Sequence, residues 1–299
     1  MPELPDVIAY VECLRRVTAG RTIRSVRVVS PFVLRTFDPP VGELVGQTVM
    51  AVSRLGKRLV LETDGGLFAV IHLMIAGRFR WLAPQARPPG RIVLATWTFD
   101  EGTLAITEVS AKKRAALHVV RGPDALVAFE TGGLDVLRAS PEAFRERLLR
   151  SNHTLKRALT DPRIFDGIGN AYSDEILHAA RLSPLTLTHR LPEGDVSRLH
   201  AACQATLSTW IDRLRAMFAD RFPGPGEITA FREGFAVHGR YGQPCPDCAA
   251  PVQRIRYADH ETNYCPRCQT DGTILADRSL SRLRKGEWPR TLDELEGER

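Results

Sequence analysis

Met1-Pro2-Glu3-Leu4-Pro5-Asp6 opens the chain, and its reading governs what the remaining residues have to build. Removal of the methionine would leave the ring nitrogen of Pro2 as a secondary amine, a group that condenses with aldehydes to give charged iminium ions. Glu3 stands beside it as a candidate proton donor. Pro5 and Asp6 read as the first turn of a helix, with proline at N1 and an acid near the positive end. Val7, Val11 and Leu14 follow at helical spacing, and Ile8 widens the apolar face. The amine would then lie near a helix N-terminus, where positive potential disfavours its protonated form and favours a free nucleophile. Taken alone, the six residues read equally as a frayed start to a helix.

Outward from this stretch, 299 residues with 43% hydrophobic and 25% charged content describe a soluble globular protein with room for more than one core. A net charge of +6 permits a polyanionic partner. Glu3, Asp6 and Glu12 interrupt any secretory signal. The longest apolar run, Leu67 to Ala76, contains His72 and is too short to span a bilayer, so no membrane partner is expected. Of six cysteines, four form two CxxC pairs, which points to a reducing compartment and a metal. Cys13 and Cys203 fall in helical patterns as small core residues. Only five of the 41 basic residues are lysine, namely Lys57, Lys112, Lys113, Lys156 and Lys285. A chain so biased to arginine has reason to keep lysine where a compact, flexible ammonium is needed.

From Thr22 to about Val120 the pattern is one of short, partly alternating, β-branched strands: 22–29, 48–54, 58–62, 67–72, 79–82, 92–99, 104–108 and 116–120. Asp64-Gly65-Gly66 and Asp100-Glu101-Gly102 serve as hairpin turns. The expectation is an antiparallel β-sandwich with the first helix beside it. Lys57 falls in a tight turn, which is a solvated tip or a functional cation. His72 ends a strand before the bulky loop Leu73-Met74-Ile75-Ala76, as a buried histidine or a site residue. Lys112-Lys113-Arg114 is a solvated charged face or a phosphate contact.

After Gly132-Gly133 the period becomes helical. Ser140-Pro141 reads as an N-cap with proline at N1, with Ala143–Leu149 filling the helix. A second helix is expected from Thr154 to Leu159. In Gly167-Ile168-Gly169-Asn170 the glycines permit a tight turn, and Asn170 can cap a helix from Ala171 to Ala180. Exposed N–H groups at such a turn suit a phosphate. A long helix spans about 195–218, and Pro223-Gly224-Pro225-Gly226 reads as a flexible joint. Cys245-x-x-Cys248 and Cys265-x-x-Cys268, 16 residues apart, fit one structural Zn2+ held by four thiolates on a β-hairpin. With no open coordination position, that metal would not be catalytic. The tail after Asp277, with Arg278, Arg282, Arg284 and Lys285, reads as a short helix and a loose end. The fold class is thus α+β. The expected segments are a sandwich over 1–135, a helical domain over 136–226, a zinc hairpin over 227–275 and a tail over 276–299.

Pro2-Glu3-Leu4-Pro5, Lys57, Gly167-Ile168-Gly169-Asn170 and the four cysteines, in that order, resemble the formamidopyrimidine-DNA glycosylase and endonuclease VIII family of bacterial base-excision repair. The resemblance runs from Pro2 to about Gln269. It implies a bifunctional DNA glycosylase and abasic-site lyase, with kinked, damaged duplex DNA between a sandwich and a helix–two-turn–helix domain. It also implies a monomer in the bacterial cytoplasm, associated with the nucleoid. Pro2 is then the nucleophile, Glu3 the acid/base, and Lys57 the cation at the lesion phosphate or sugar. His72, Lys156 and Asn170 become phosphate clamps, with Tyr172 and Glu175 as weaker candidates. Ile75 falls where such enzymes insert a methionine into the vacated stack. Lys112-Lys113-Arg114 falls where they carry Arg-Arg-Phe, and no aromatic wedge is present there. Asp6-Val7-Ile8 replaces Glu-Val-Glu, His260 replaces a phosphate-binding arginine, and His238 replaces a tyrosine. The segment Glu227–Val237, where a lesion-covering loop belongs, is short. These departures imply intact strand-cutting chemistry and rewritten base reading: poor removal of 8-oxoguanine opposite cytosine, and better retention of activity on abasic sites, single strands or oxidised pyrimidines. Two other readings use the same residues: a catalytically silent relative that binds damaged or bent DNA, and a zinc-ribbon protein of RNA metabolism.

Overall fold

A computed structural model describes residues 1–257, 260–276 and 289–297. The basic tail positions Arg278, Arg282, Arg284 and Lys285, and the short helix expected there, lie outside the described residues. The chain divides into two compact units. One comprises Met1–Thr131 with Trp210–Ala230, the other Gly132–Thr209 with Phe231–Arg299.

In the first unit, helix α1 spans Leu4–Thr18. Eight strands follow: β1 Ser25–Val28, β2 Val49–Leu55, β3 Arg58–Thr63, β4 Leu67–His72, β5 Gly77–Leu82, β6 Val93–Phe99, β7 Gly102–Glu108 and β8 Ala116–Arg121. They form two four-stranded antiparallel sheets, ordered β1-β6-β7-β5 and β2-β3-β4-β8. All eight expected strands are present, with ends shifted by up to three residues. The pleat explains the core. Leu59 and Leu61 of β3 point inward with Ile71 and Ala69, their register partners on β4. Tyr10 and Leu14 of α1, with Phe79 and Trp97 of the other sheet, share that core. Each of these leucine, isoleucine and phenylalanine side chains contributes about 1.5–3 kcal/mol by leaving water.

The alternate residues Val60, Phe68 and Val70 face the other way and form a second cluster with Leu126 and Phe129. A 3-10 segment, Pro123–Phe129, covers them. That is why β4 reads as a continuous apolar run rather than an alternating one.

The segment around Pro223-Gly224-Pro225-Gly226 is not the free joint its composition suggests. Glu227 accepts from Arg221 through two bonds of 2.6 Å and from the Gly224 N–H at 2.5 Å. Those contacts hold the Glu227 carboxyl below its usual range, chiefly through Arg221. Leu214, Phe218 and Ile228 join the sandwich core, so the stretch Trp210–Ala230 goes with the sandwich rather than with the helical region.

In the second unit, helix α2 spans Pro141–Leu149, capped by Ser140 Oγ, which accepts from the Ala143 N–H at 3.2 Å. Phe144 of α2 stacks on Phe165, ring centres 4.7 Å apart. Helix α3 is Leu155–Thr160, α4 is Asn170–Ala179, and α5 is Glu193–Met217, whose last turns belong to the first unit. Strands β9 Gln253–Arg256 and β10 Glu261–Tyr264 pair antiparallel. Two short helices, α6 Pro266–Thr270 and α7 Leu292–Gly297, complete the unit.

Candidate active site and DNA-contact residues

Helix α1 starts one residue earlier than proline at N1 would require: Glu3 is the N-cap and Leu4 the first helical residue. Glu3 and Asp6 form a reciprocal capping box, in which the Glu3 N–H donates to Asp6 Oδ2 at 2.9 Å. Asp6 therefore ties down the very residue beside Pro2. Pro2, Glu3 and Asp6 are all buried. The amine at the head of the chain, that of Met1, lies among Glu3, Arg78, Asp6 and Lys57. Burial lowers its pKa below the ordinary value; Arg78 and Lys57 act in the same direction, and Glu3 and Asp6 oppose them. Pro2 nitrogen is an amide while Met1 is attached, and it becomes an amine in these surroundings once Met1 is removed.

Lys57 sits in the two-residue turn Gly56-Lys57 between β2 and β3. Leu55 pairs with Arg58, and Gly56 takes φ +61, a conformation that favours glycine. His72, the last residue of β4, lies opposite Arg58. Its pKa is pushed down to about 4, first by burial, then by Arg58, Lys57 and His118. It is therefore a neutral ring at pH 7. Lys57 thus adjoins both the terminal amine and His72. Lys57 is therefore the link between the terminal amine, with Glu3 beside it, and His72.

The loop after His72 is shaped by Gly77, whose N–H donates to Leu73 O at 2.9 Å; a Cβ there would meet that oxygen at 2.2 Å. Ile75 is consequently thrown outward, 58% exposed. Arg78 has a role that the sequence pattern does not announce. It donates to Ile75 O at 3.0 Å and to Ile228 O at 2.6 Å, fixing the loop while keeping its charge near the amine. Its only signal in the sequence is its place directly after Gly77. Ile75 and Arg78 line a cavity of about 420 Å³ with Thr107, Val109, Gly224 and Ile228. No carboxylate lines it.

The loop carrying Lys112, Lys113 and Arg114 is organised by Glu108, a second residue that sequence did not single out. The buried Glu108 carboxylate accepts from the Arg114 N–H at 2.9 Å and the Ala115 N–H at 3.1 Å. Lys113 donates to Glu108 O, whereas Lys112 and Arg114 are exposed. Only two of the three cations are thus presented to solvent.

In the second unit the structure corrects the expected cap of α4 and shows where the other candidate residues lie. Asn170 does not cap α4: Gly169 is the N-cap, and Asn170 Nδ2 instead donates to Glu261 O at 2.9 Å, hooking the turn to β10. Lys156 is buried, and its ammonium donates to Asp174 Oδ1 at 2.5 Å and Asn170 O at 2.6 Å. It braces the turn from beneath, and its charge is already engaged. Tyr172 is 1% exposed and packs edge-on against Phe235, because two residues along a helix turn it away from Asn170's face. Glu175 is likewise internal, accepting the N–H groups of Ala236, Val237 and His238 at 2.6–2.9 Å. His238 Nδ1 lies 2.7 Å from Asp174 Oδ2, in the same buried knot as Lys156. His260 is exposed at the foot of β10 and stacks on Tyr257, ring centres 4.8 Å apart.

The four sulfurs of Cys245, Cys248, Cys265 and Cys268 lie within 4.8 Å of one another. Cys245–Cys268 and Cys248–Cys265 are 3.9 and 3.4 Å apart. Four thiolates at the ~2.3 Å zinc–sulfur distance stand about 3.8 Å apart, and a disulfide would need ~2.05 Å. The cluster therefore fits a structural zinc.

Three family models match in chain order: the formamidopyrimidine-DNA glycosylase N-terminal domain over residues 1–115, its H2TH domain over 134–218, and the zinc finger found in FPG and IleRS over 242–270. A formamidopyrimidine-DNA glycosylase of an Exiguobacterium species is 32% identical over 279 residues, covering 90% of this chain and 99% of that protein. One from Bacillus subtilis is 28% identical over 282 residues, with the same coverage. Among solved structures, the Lactococcus lactis enzyme non-covalently bound to DNA containing an AP site is 27% identical. It superposes with a TM-score of 0.78 and covers 90% of this chain and 99% of that one. MutM in complex with DNA containing carbocyclic 8-oxo-G is 26% identical, with a TM-score of 0.78, 90% of this chain and 100% of that one. By these matches and by the residues it shares with them, the chain belongs to the formamidopyrimidine-DNA glycosylase family.

Proposed function

We infer that this protein is a base-excision DNA glycosylase with abasic-site lyase activity, and that the amine of Pro2 is its nucleophile. The observation that carries the reading is the setting of the N-terminus: Glu3 beside it in a capping box and Lys57 and Arg78 lowering the pKa of the terminal amine after burial. After loss of Met1, the Pro2 nitrogen attacks C1′ of the damaged nucleotide. The C1′–base bond breaks, and the base leaves with the electron pair and a proton. Glu3 supplies a proton to O4′ as the sugar opens, giving a C1′ iminium. The iminium acidifies C2′–H; its proton goes to a base, and the 3′ phosphate leaves with the bonding pair. Water then hydrolyses the iminium and frees Pro2. Lys57 offsets the phosphate charge next to the reacting sugar, a contribution that grows as water is excluded.

The first unit supplies this chemistry, and the second supplies strand contacts through the Asn170 turn and His260. Damaged DNA is the partner, with the target nucleotide rotated out of the stack and Ile75 as the apolar group that enters the gap. Lys112 and Arg114 replace an aromatic wedge and weaken gap filling in intact duplexes. The cavity behind Ile75, with Arg78 on its wall and no carboxylate, suits a base rich in carbonyl acceptors. The preferred lesions are therefore oxidised pyrimidines and abasic sites rather than 8-oxoguanine opposite cytosine. Among the described residues no helix is long and apolar enough to cross a membrane. A monomer in the bacterial cytoplasm, acting on the nucleoid, completes the proposal.

The test is borohydride trapping on abasic-site DNA, followed by mass spectrometry of the reduced adduct. The expected crosslink is on Pro2, and Pro2→Gly should lose most of it. An adduct on a lysine, or none on any substrate, overturns the assignment. Efficient cytosine-selective 8-oxoguanine release overturns the lesion preference alone.

A further inference from the structure

The zinc knuckles meet a side chain of α4 that the four cysteines do not account for. His178, near the C-terminal end of α4, is 5% exposed, and its Nε2 lies 3.3 Å from Cys245 Sγ. Asp247, in the same knuckle as Cys245, places Oδ2 4.0 Å from His178 Nε2 and 3.2 Å from Arg181 Nη2. A zinc ion held by four thiolates carries two excess negative charges, and N–H donors to sulfur offset them. Cys265 Sγ has one within its own knuckle, the Cys268 N–H at 3.4 Å. Cys245, 2% exposed, has the imidazole.

A metal-bound thiolate carries no proton and can only accept, so the contact requires hydrogen on Nε2. We propose that His178 is a positioning residue of the zinc centre, donating Nε2–H to the Cys245 thiolate. In that role it locks the first knuckle to α4, the helix that begins at the Asn170 turn. The hydrogen bond draws charge from the sulfur, lowering its tendency to be alkylated or to leave the metal. It also gives the zinc a mechanical connection to the DNA-contact turn: His178 at one end of α4 and Asn170 at the other each bind the hairpin domain, through Cys245 and Glu261. This inference concerns the metal centre and stands whether or not Pro2 is the nucleophile.

The experiment uses the full-length, zinc-loaded protein. Zinc transfer to the chelator 4-(2-pyridylazo)resorcinol is timed for the parent, His178→Phe and His178→Gln. The thiolate-to-metal charge-transfer band is recorded after cobalt substitution. The phenylalanine variant should release zinc about 10–100-fold faster and shift the band. Glutamine, which can place an N–H near the same point, should restore both toward the parent. A phenylalanine variant that matches the parent in rate and spectrum overturns the proposal, as does a glutamine variant no better than phenylalanine. If the phenylalanine variant fails to fold, cadmium-113 substitution of the parent decides. Scalar coupling between the metal and the His178 Nε2–H supports the bond, and its absence refutes it.

Discussion

Replacing Lys156 by methionine separates two roles that a lysine at this position could have. The ammonium donates to Asp174 Oδ1 at 2.5 Å and to Asn170 O at 2.6 Å. Asp174 is fully buried, and its other oxygen receives His238 Nδ1 at 2.7 Å and the Asn263 N–H at 3.1 Å. Methionine fills the volume of the lysine stem but leaves Oδ1 without its cation, while Asn170 O keeps only the Ser173 hydroxyl, at 3.1 Å, of its two side-chain donors. Removing one partner of a buried pair costs about 3–5 kcal/mol. For a folding unit of this size each kcal/mol moves Tm by roughly 2–4 °C, so the melting point should fall by about 6–20 °C. A phosphate clamp behaves otherwise: stability changes by no more than ~0.5 kcal/mol, and the salt slope of DNA binding falls by about 0.9.

Thermal melts followed by circular dichroism measure the first quantity. Anisotropy on a duplex with an uncleavable abasic analogue, between 50 and 200 mM salt on the scale where such contacts are resolved, measures the second. A Tm shift under ~2 °C together with a salt slope reduced by about one unit would refute the bracing role. Combining Lys156→Met with Asp174→Leu should cost less than the sum of the two single changes, since a buried pair replaced whole leaves no stranded charge.

Three further outcomes follow from the same geometry. Ile75→Ala should slow base release from intact lesion pairs about tenfold, a fraction of the few kcal/mol that a wedge contributes per step. Cleavage of preformed abasic sites should change little, and a gel assay on both substrates checks the split. For His72 the folded pKa of about 4 lies below the unfolded value near 6.5, so the unfolded chain binds more protons between them. Stability should therefore fall as pH drops from 6.5 towards 4. His72→Gln should remove on the order of 2 kcal/mol of that fall once partial exposure is allowed for, read by urea titration at several pH values. Stripping the zinc should abolish tight binding to abasic-site DNA, because Asn170 is anchored to β10 through Glu261 O. Unchanged affinity after verified metal loss would contradict that.

What could be read from the residues in advance was whatever depends on near neighbours. The strands of the sandwich announce themselves by β-branched runs between glycine turns, and α2 by Ser140-Pro141. The zinc site follows from cysteine spacing alone. Arg78, Glu108 and Asp174 could not be found this way, since their meaning depends on partners that the fold brings in. Asp174 gathers donors 18, 64 and 89 positions away. Tyr172 is a different case, because its burial was available from helical spacing. Residue 172 lies ~200° around from 170 and shares a face with Ile176, so an inward tyrosine follows once Asn170 is placed outside.

Lysine scarcity shows where composition helps and where it stops. Lys156 is one of five lysines in an arginine-rich chain, and a reason for keeping it does exist. That reason is internal. A single ammonium with three donors can reach a carbonyl and a carboxylate oxygen at once in a tight buried space, and a planar guanidinium would need room for its fork. The bias in composition therefore marks a position that needs lysine's shape. Whether the ammonium meets a phosphate or a buried carboxylate depends on Asp174, a residue that looks like any other surface acid until α4 turns it inward.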